Sequence, residues 1–144
     1  MVIILRGPSG AGKSTYAKKN HPTATVVSAD DFFMVRGNYE FDPKRLGEAH
    51  GSCLIRFVEA VTDESKAQIV VDNTNTTVAE VSPYAALALA YGHTLKIVTF
   101  VGDWRIAARR NVHGVSEATV ESQANRTGEA IFPPWWPHET VEIQ

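Results

Sequence analysis

Gly7-Pro8-Ser9-Gly10-Ala11-Gly12-Lys13-Ser14-Thr15 follows the apolar run Val2-Ile3-Ile4-Leu5 and precedes a segment free of helix breakers as far as His21-Pro22. The spacing G-x-x-x-x-G-K-S between a strand-like and a helix-like segment is that of a phosphate-binding loop. Each part has a physical task. The glycines let the backbone curl so that successive N–H groups face an anion, and the following helix adds the positive end of its dipole. Lys13 can reach the β- and γ-phosphates, and the Ser14 hydroxyl can ligate a magnesium ion. The stretch therefore predicts a bound nucleoside triphosphate, ATP first among them, with Mg2+. Its binding residues are Gly7, Ser9, Gly10, Ala11, Gly12, Lys13, Ser14 and Thr15.

Composition narrows what surrounds the loop. With 144 residues, 44% of them apolar and 21% charged, the chain is expected to be one globular domain, 1–144. No apolar run approaches the roughly 20 residues of a membrane helix. The first strand begins at residue 2, which leaves no room for a cleavable leader. Cys53 is the only cysteine, so no intramolecular disulfide forms, and it reads as a small buried helix residue. These features predict a cytoplasmic protein without a membrane partner. The net charge of −2 argues against tight non-specific binding to nucleic acid. Basic residues exceed acidic ones only in the first 56 positions, so a polyanion site has to be local.

Reading onward, strand-like and helix-like segments alternate. Thr25–Ser28 is a β-branched run that ends on Ala29-Asp30-Asp31-Phe32-Phe33, and Met34–Phe41 reads as a loop. Asp42-Pro43 starts a helix of about 20 residues with an apolar face through Cys53, Phe57 and Val61. His50 lies beside that face and reads as a satisfied, partly buried side chain. Gln68–Asp72 is a buried strand closing on Asp72-Asn73-Thr74-Asn75. Thr76 or Thr77 caps the next helix, in which Pro83 predicts a late start or a kink. Thr94–Val101 is the strongest strand. Asp103 caps Trp104–Asn111, Ser116 caps a helix to about Arg126, and Val141-Glu142-Ile143 alternates as a short edge strand does. Ile131–Pro137, with three prolines and two tryptophans, is a flap (131–138) that packs over the core or walls the substrate pocket, packing being the first reading. The sum is an α/β fold: a parallel sheet covered by helices on both faces, with the ligand beyond the carboxyl ends of the strands.

Phosphoryl transfer requires a triphosphate cradle, a metal ion, a base at the acceptor hydroxyl, and positive charge over the migrating group. The loop and Lys13 supply the cradle. Ser14, with the acidic Asp30 near it, supplies the candidate metal site. Asp30 or Asp31 is the candidate base. Arg109 or Arg110, in a lid at about 103–116, is the candidate charge stabiliser, a role worth about three to five orders of magnitude.

The chain resembles the P-loop kinases typified by polynucleotide 5′-hydroxyl kinase and related ATP-binding proteins. The matching segments are Gly7–Thr15, Ser28–Phe33, Tyr39–Pro43 with Ala49-His50, Val71–Asn75 and Arg110–Val115, in the family's order. This resemblance implies a three-layer fold with four or five parallel strands in the order 2-3-1-4 and a helical lid. It implies Asp30 as general base, Arg110 as the lid arginine on the phosphates, and Asp72 on the acceptor side. The acceptor it implies is the 5′ end of DNA or RNA, or a nucleotide-like molecule. Such kinases grip the acceptor's phosphate with an arginine three residues after the base, where this chain has Phe33; Arg36 is the candidate substitute. Asp31 joins Asp72 and Arg36 as a candidate substrate residue. The rival readings are a kinase of nucleosides, sugars or antibiotics, and an ATP-hydrolysing module. The absence of glutamate in Asp72–Asn75 favours transfer over hydrolysis.

Overall fold

The computed structural model describes residues 1–144. Its elements are β1 (Val2–Arg6), α1 (Lys13–Asn20), β2 (Thr25–Val27), β3 (Met34–Val35), β4 (Asn38–Tyr39), α2 (Leu46–Thr62), β5 (Ile69–Asp72), α3 (Val78–Ala90), β6 (Leu95–Val101), α4 (Trp104–Arg110), α5 (Glu117–Glu129) and β7 (His138–Glu142). All five residues of β1 are buried, because the strand lies mid-sheet between β5 and β6 and both are parallel to it. The sheet runs β2-β5-β1-β6-β7, with every pairing parallel. Counting only its own strands, the order is 2-3-1-4-5: the expected four, extended by a fifth at the edge.

Strand alternation divides the core in two. Val2 and Ile4 face one way and join Ile69, Val71 and Ile97 under α2 and α3, with Cys53 and Phe57 at the centre of that layer. Ile3 and Leu5 face the other way and join Val70, Val98 and Phe100 under α1, α4 and α5. Helix starts follow the capping chemistry: Thr77, Asp103 and Ser116 each accept a first-turn N–H. Asp42 caps a single 3-10 turn, Pro43–Arg45, that leads into α2. Pro83 lies inside α3 without delaying its start. Its missing N–H falls in the second turn, where one ladder bond is forfeited and the rest of the helix is intact.

Two expectations need correcting, after Asp30 and at the last strand. Met34–Tyr39 is a miniature antiparallel hairpin, with Arg36 (φ 50) and Gly37 (φ 84) at its tip. The last strand begins at His138, not Val141, and is parallel to β6. The aromatic flap divides: Phe132 lies under the Arg6 guanidinium (4.6 Å) and Trp136 packs on the core, while Trp135 is 74% exposed. It covers the sheet and lines neither cavity of the site below. No helix is long and apolar enough to cross a membrane.

Candidate active site

The loop after β1 encloses a cavity of about 310 Å³ with the ends of β5 and α4. Gly10 (φ 83) is where the loop passes closest to α4, and a Cβ there would stand 2.0 Å from the Ala107 carbonyl oxygen. Only glycine fits. Ser9, Gly10, Gly12, Lys13, Ser14 and Thr15 line the cavity, with Gly7 and Ala11 behind them. α1 starts after Gly12 (φ 101) with no side-chain cap, so its first N–H groups are free to face an anion. Lys13 is buried, and its Nζ donates to the carbonyls of Gly7 (3.0 Å) and Pro8 (2.8 Å). Burial pushes its ammonium down to about 8, against the pull of Asp72 and Asp30.

The Ser14 hydroxyl donates to Asp72 Oδ2 at 2.6 Å. Burial pushes the Asp72 carboxyl up, while Ser14 and Lys13 act in the opposite direction. Asp72 therefore lines the cavity of the loop beside Ser14. The rest of its motif is structural wiring. Asn73 Oδ1 accepts from Ala29 N (2.8 Å), fixing the segment that carries Asp30. The Thr74 carbonyl accepts from Gly7 N (2.8 Å), and Asn75 Nδ2 donates to the Leu5 carbonyl (2.8 Å). Four consecutive residues thus hold α1, the Asp30 segment, the phosphate loop and β1 in one register.

Asp30 is the second residue of a 3-10 turn, Ala29–Phe33, that follows the carboxyl end of β2. Its Oδ1 accepts from the Tyr39 hydroxyl (3.1 Å) and its Oδ2 lies 3.5 Å from His113 Nε2. Burial and the neighbouring Asp30 push the Tyr39 phenol up, so Tyr39 holds its proton as a donor. The His113 and Tyr39 rings are 4.2 Å apart. On the far side of Asp30 a second cavity of about 430 Å³ opens, walled by Tyr39, Phe41, Leu46 and Val115. Ser9, Asp30, Asn73, Thr74 and His113 border both cavities.

Arg110 lines the first cavity and donates to the Gly10 carbonyl (3.1 Å) and to the Gln144 backbone oxygen. Asn111 closes the following turn by bonding both N–H and C=O of Val115, which carries His113 over Asp30. Several expected site residues lie elsewhere. Arg109 is exposed and borders neither cavity. Asp31 turns outward to Arg56 (3.0 Å), and Arg36 projects from the hairpin tip. Phe33 is 3% exposed among Phe32, Tyr39 and Phe41 and borders neither cavity. His50, expected to be partly buried, is exposed and borders the second cavity. Sequence reasoning missed Tyr39 as the partner of Asp30, and Gln123, whose Oε1 accepts from Ser9 N at 2.9 Å. Tyr39 lies in a segment that carries the resemblance; Gln123 sits mid-helix with no local signal.

The family model described as an AAA domain, AAA_33, matches residues 2–128. The chain belongs to this family of P-loop nucleotide-binding domains. In an alignment of 129 residues that covers 83% of this chain, it is 37% identical to NEDD4-binding protein 2 from Homo sapiens, and it spans 7% of that much longer relative. Two solved structures share the fold. A kinase candidate from Chloroflexus aurantiacus J-10-fl superposes with a TM-score of 0.72 at 17% identity, covering 98% of this chain and 86% of that one. A gluconokinase from Sinorhizobium meliloti 1021 gives 0.62 at 16%, covering 99% and 82%. At those identities the likeness is one of fold, the P-loop kinase architecture.

Proposed function

We propose that this domain is an ATP-dependent kinase that moves the γ-phosphate onto a hydroxyl of an acceptor held in the second cavity. The observation that carries this reading is the position of Asp30, on the wall between the phosphate cavity and a second cavity large enough for a small molecule. A hydrolase needs only the first. The residues that would hold Mg2+ are Ser14 and Asp72, already 2.6 Å apart, and not Asp30. One carboxylate and one hydroxyl suit an ion that takes its other ligands from phosphates and water, and no cluster of three acidic, histidine or cysteine side chains competes. The ion, when bound, neutralises charge on the phosphates.

In this mechanism the loop amides and Lys13 hold the triphosphate. Asp30, held by Tyr39 and His113, accepts the proton of the acceptor hydroxyl. The acceptor oxygen bonds to the γ-phosphorus as the bond from that phosphorus to its bridging oxygen breaks. ADP leaves with the electron pair, and Asp30 releases its proton to solvent. Arg110 stabilises charge on the transferring group, a role in which Arg109 has no part.

The proposed compartment is the cytoplasm, where ATP is available and Cys53 stays reduced. Of the acceptors that the resemblance implies, a polynucleotide 5′ end asks for cations around its phosphates, and a nucleoside-like molecule does not. The testing experiment follows the γ-label of ATP across 5′-hydroxyl DNA and RNA, nucleosides, sugars and other small alcohols. Label recovered in an ester supports the reading. Label recovered only as inorganic phosphate with every acceptor overturns it.

A further inference from the structure

We infer that the second cavity selects an uncharged hydroxyl compound bearing a flat ring, of the nucleoside class, over a phosphorylated strand end. This rests on the reading of the domain as a kinase with Asp30 at the acceptor hydroxyl. The cavity, about 430 Å³, falls in the range of small-molecule sites, about 300–1,000 Å³. Among its fifteen lining residues there is no lysine or arginine, and the single carboxylate is Asp30.

Two arginines near the cavity, Arg56 and Arg45, are engaged elsewhere. Arg56 is bound to Asp31 (3.0 Å) and to the Ser28 carbonyl (2.6 Å). Arg45 lies over the Phe32 ring at 4.7 Å and pairs with Glu48 at 2.9 Å. Arg36 stands at the hairpin tip. His113 faces Asp30, so any positive charge on it is already opposed. A strand end entering here would bring internucleotide phosphates beside a carboxylate without a partner charge, whereas affinity for polynucleotides comes chiefly from phosphate contacts.

What the cavity offers instead is surface for a ring. Tyr39 and Phe41 stand nearly parallel, 10° apart in plane with centroids 6.2 Å apart, and Phe41 is 49% exposed. An exposed aromatic face of this kind stacks on a heterocycle whatever its sequence context. Thr119 and Gln123 of α5 line the same cavity with neutral polar side chains. Phe41 and Asp30 line the same cavity, so a ring stacked on Phe41 can carry its hydroxyl toward Asp30.

The test compares kcat/KM for nucleosides, the same nucleosides carrying a 3′-phosphate, 5′-hydroxyl oligonucleotides and ring-free sugars, at low and high salt. The expected result is a preference of about tenfold or more for neutral nucleosides, with little salt dependence. Phe41→Ala should raise the acceptor KM about tenfold while the KM for ATP holds. Leu46 is 40% exposed at the cavity, so Leu46→Arg should fold and should shift the preference about tenfold toward the 3′-phosphorylated nucleoside. A preferred oligonucleotide with a steep fall in salt, a preferred ring-free sugar, or unmoved acceptor constants in both variants would overturn the inference while leaving the kinase reading standing. Hydrolysis without transfer to any acceptor would remove both.

Discussion

Lys13 makes a prediction at the scale of a single proton. Burial pushes its ammonium down to about 8, while its ordinary value is 10.5. A triphosphate beside Nζ adds negative charge and favours the protonated form. ATP binding should therefore take up part of a proton at about pH 9, and none through this group at about pH 6, where Lys13 is protonated throughout. Calorimetry in two buffers of different ionisation heat measures the uptake, and Lys13→Arg, which stays charged at both pH values, should abolish it. The sign for folding agrees. The unfolded chain holds this proton to higher pH than the folded one, so Lys13 makes stability rise with pH between about 8 and 10.5. Asp30→Ala should lower transfer about a hundredfold or more with ATP affinity largely kept, read from single-turnover rates and an ATP titration. At this scale Lys13, Ser14 and Asp30 were legible as candidates from their types and places in the chain, and the structure brings all three to one cavity. Choosing between Arg109 and Arg110 depends on about 100° of helix rotation. That rotation is set by how α4 packs on Gly10, which no local pattern records.

At the scale of elements, the site depends on close approach and on small pieces of structure. Gly10→Ala should separate the phosphate loop from α4, because its Cβ would fall 2.0 Å from a backbone oxygen that cannot move alone. The expected outcome is a fall in thermal stability together with loss of ATP binding, and a variant that binds ATP normally would contradict the contact. The hairpin β3–β4 is anchored by Phe33, which meets Phe32, Tyr39 and Phe41 at ring distances of 5.1–6.1 Å. Phe33→Arg would bury an unpaired charge, at a cost of several kcal/mol. It should release Tyr39 from Asp30 and lower transfer. Long helices and buried strands were legible because each carries several periods of its pattern. The hairpin was not, since two-residue strands show no periodicity, and the turn at Arg36-Gly37 looks like any loop. The segment Asp72–Asn75 was legible as a motif while its wiring was hidden, because its partners lie on four different elements.

At the scale of the whole molecule, the residue that joins the layers is Arg6, which no sequence signal marked as more than the end of a strand. It is 1% exposed and has no carboxylate in contact. Its guanidinium donates instead to the carbonyls of Asn75 (3.0 Å), Thr76 (2.9 Å) and Thr127 (3.1 Å) and to the Thr99 hydroxyl (3.2 Å), with Phe132 beneath it. Burial pushes it down to about 10, with Glu80 opposing the shift, so it remains charged at neutral pH. One planar group thereby ties β1 to the loop after β5, to β6, to α5 and to the C-terminal flap, and it immediately precedes Gly7 of the phosphate loop. Lysine keeps the charge but places three donors at one point, which cannot span acceptors spread around a fork. Arg6→Lys should cost about 3 kcal/mol, the scale of breaking a buried charged network. In a chain of this length that is roughly 6–12 °C in Tm. Because the loss falls at the root of the phosphate loop, ATP affinity should drop with it even though Arg6 lines neither cavity. A melting curve and an ATP titration on the same sample decide the matter. An unchanged Tm would mean the carbonyls find other partners, and a lowered Tm with full ATP affinity would separate the layer joint from the loop it precedes.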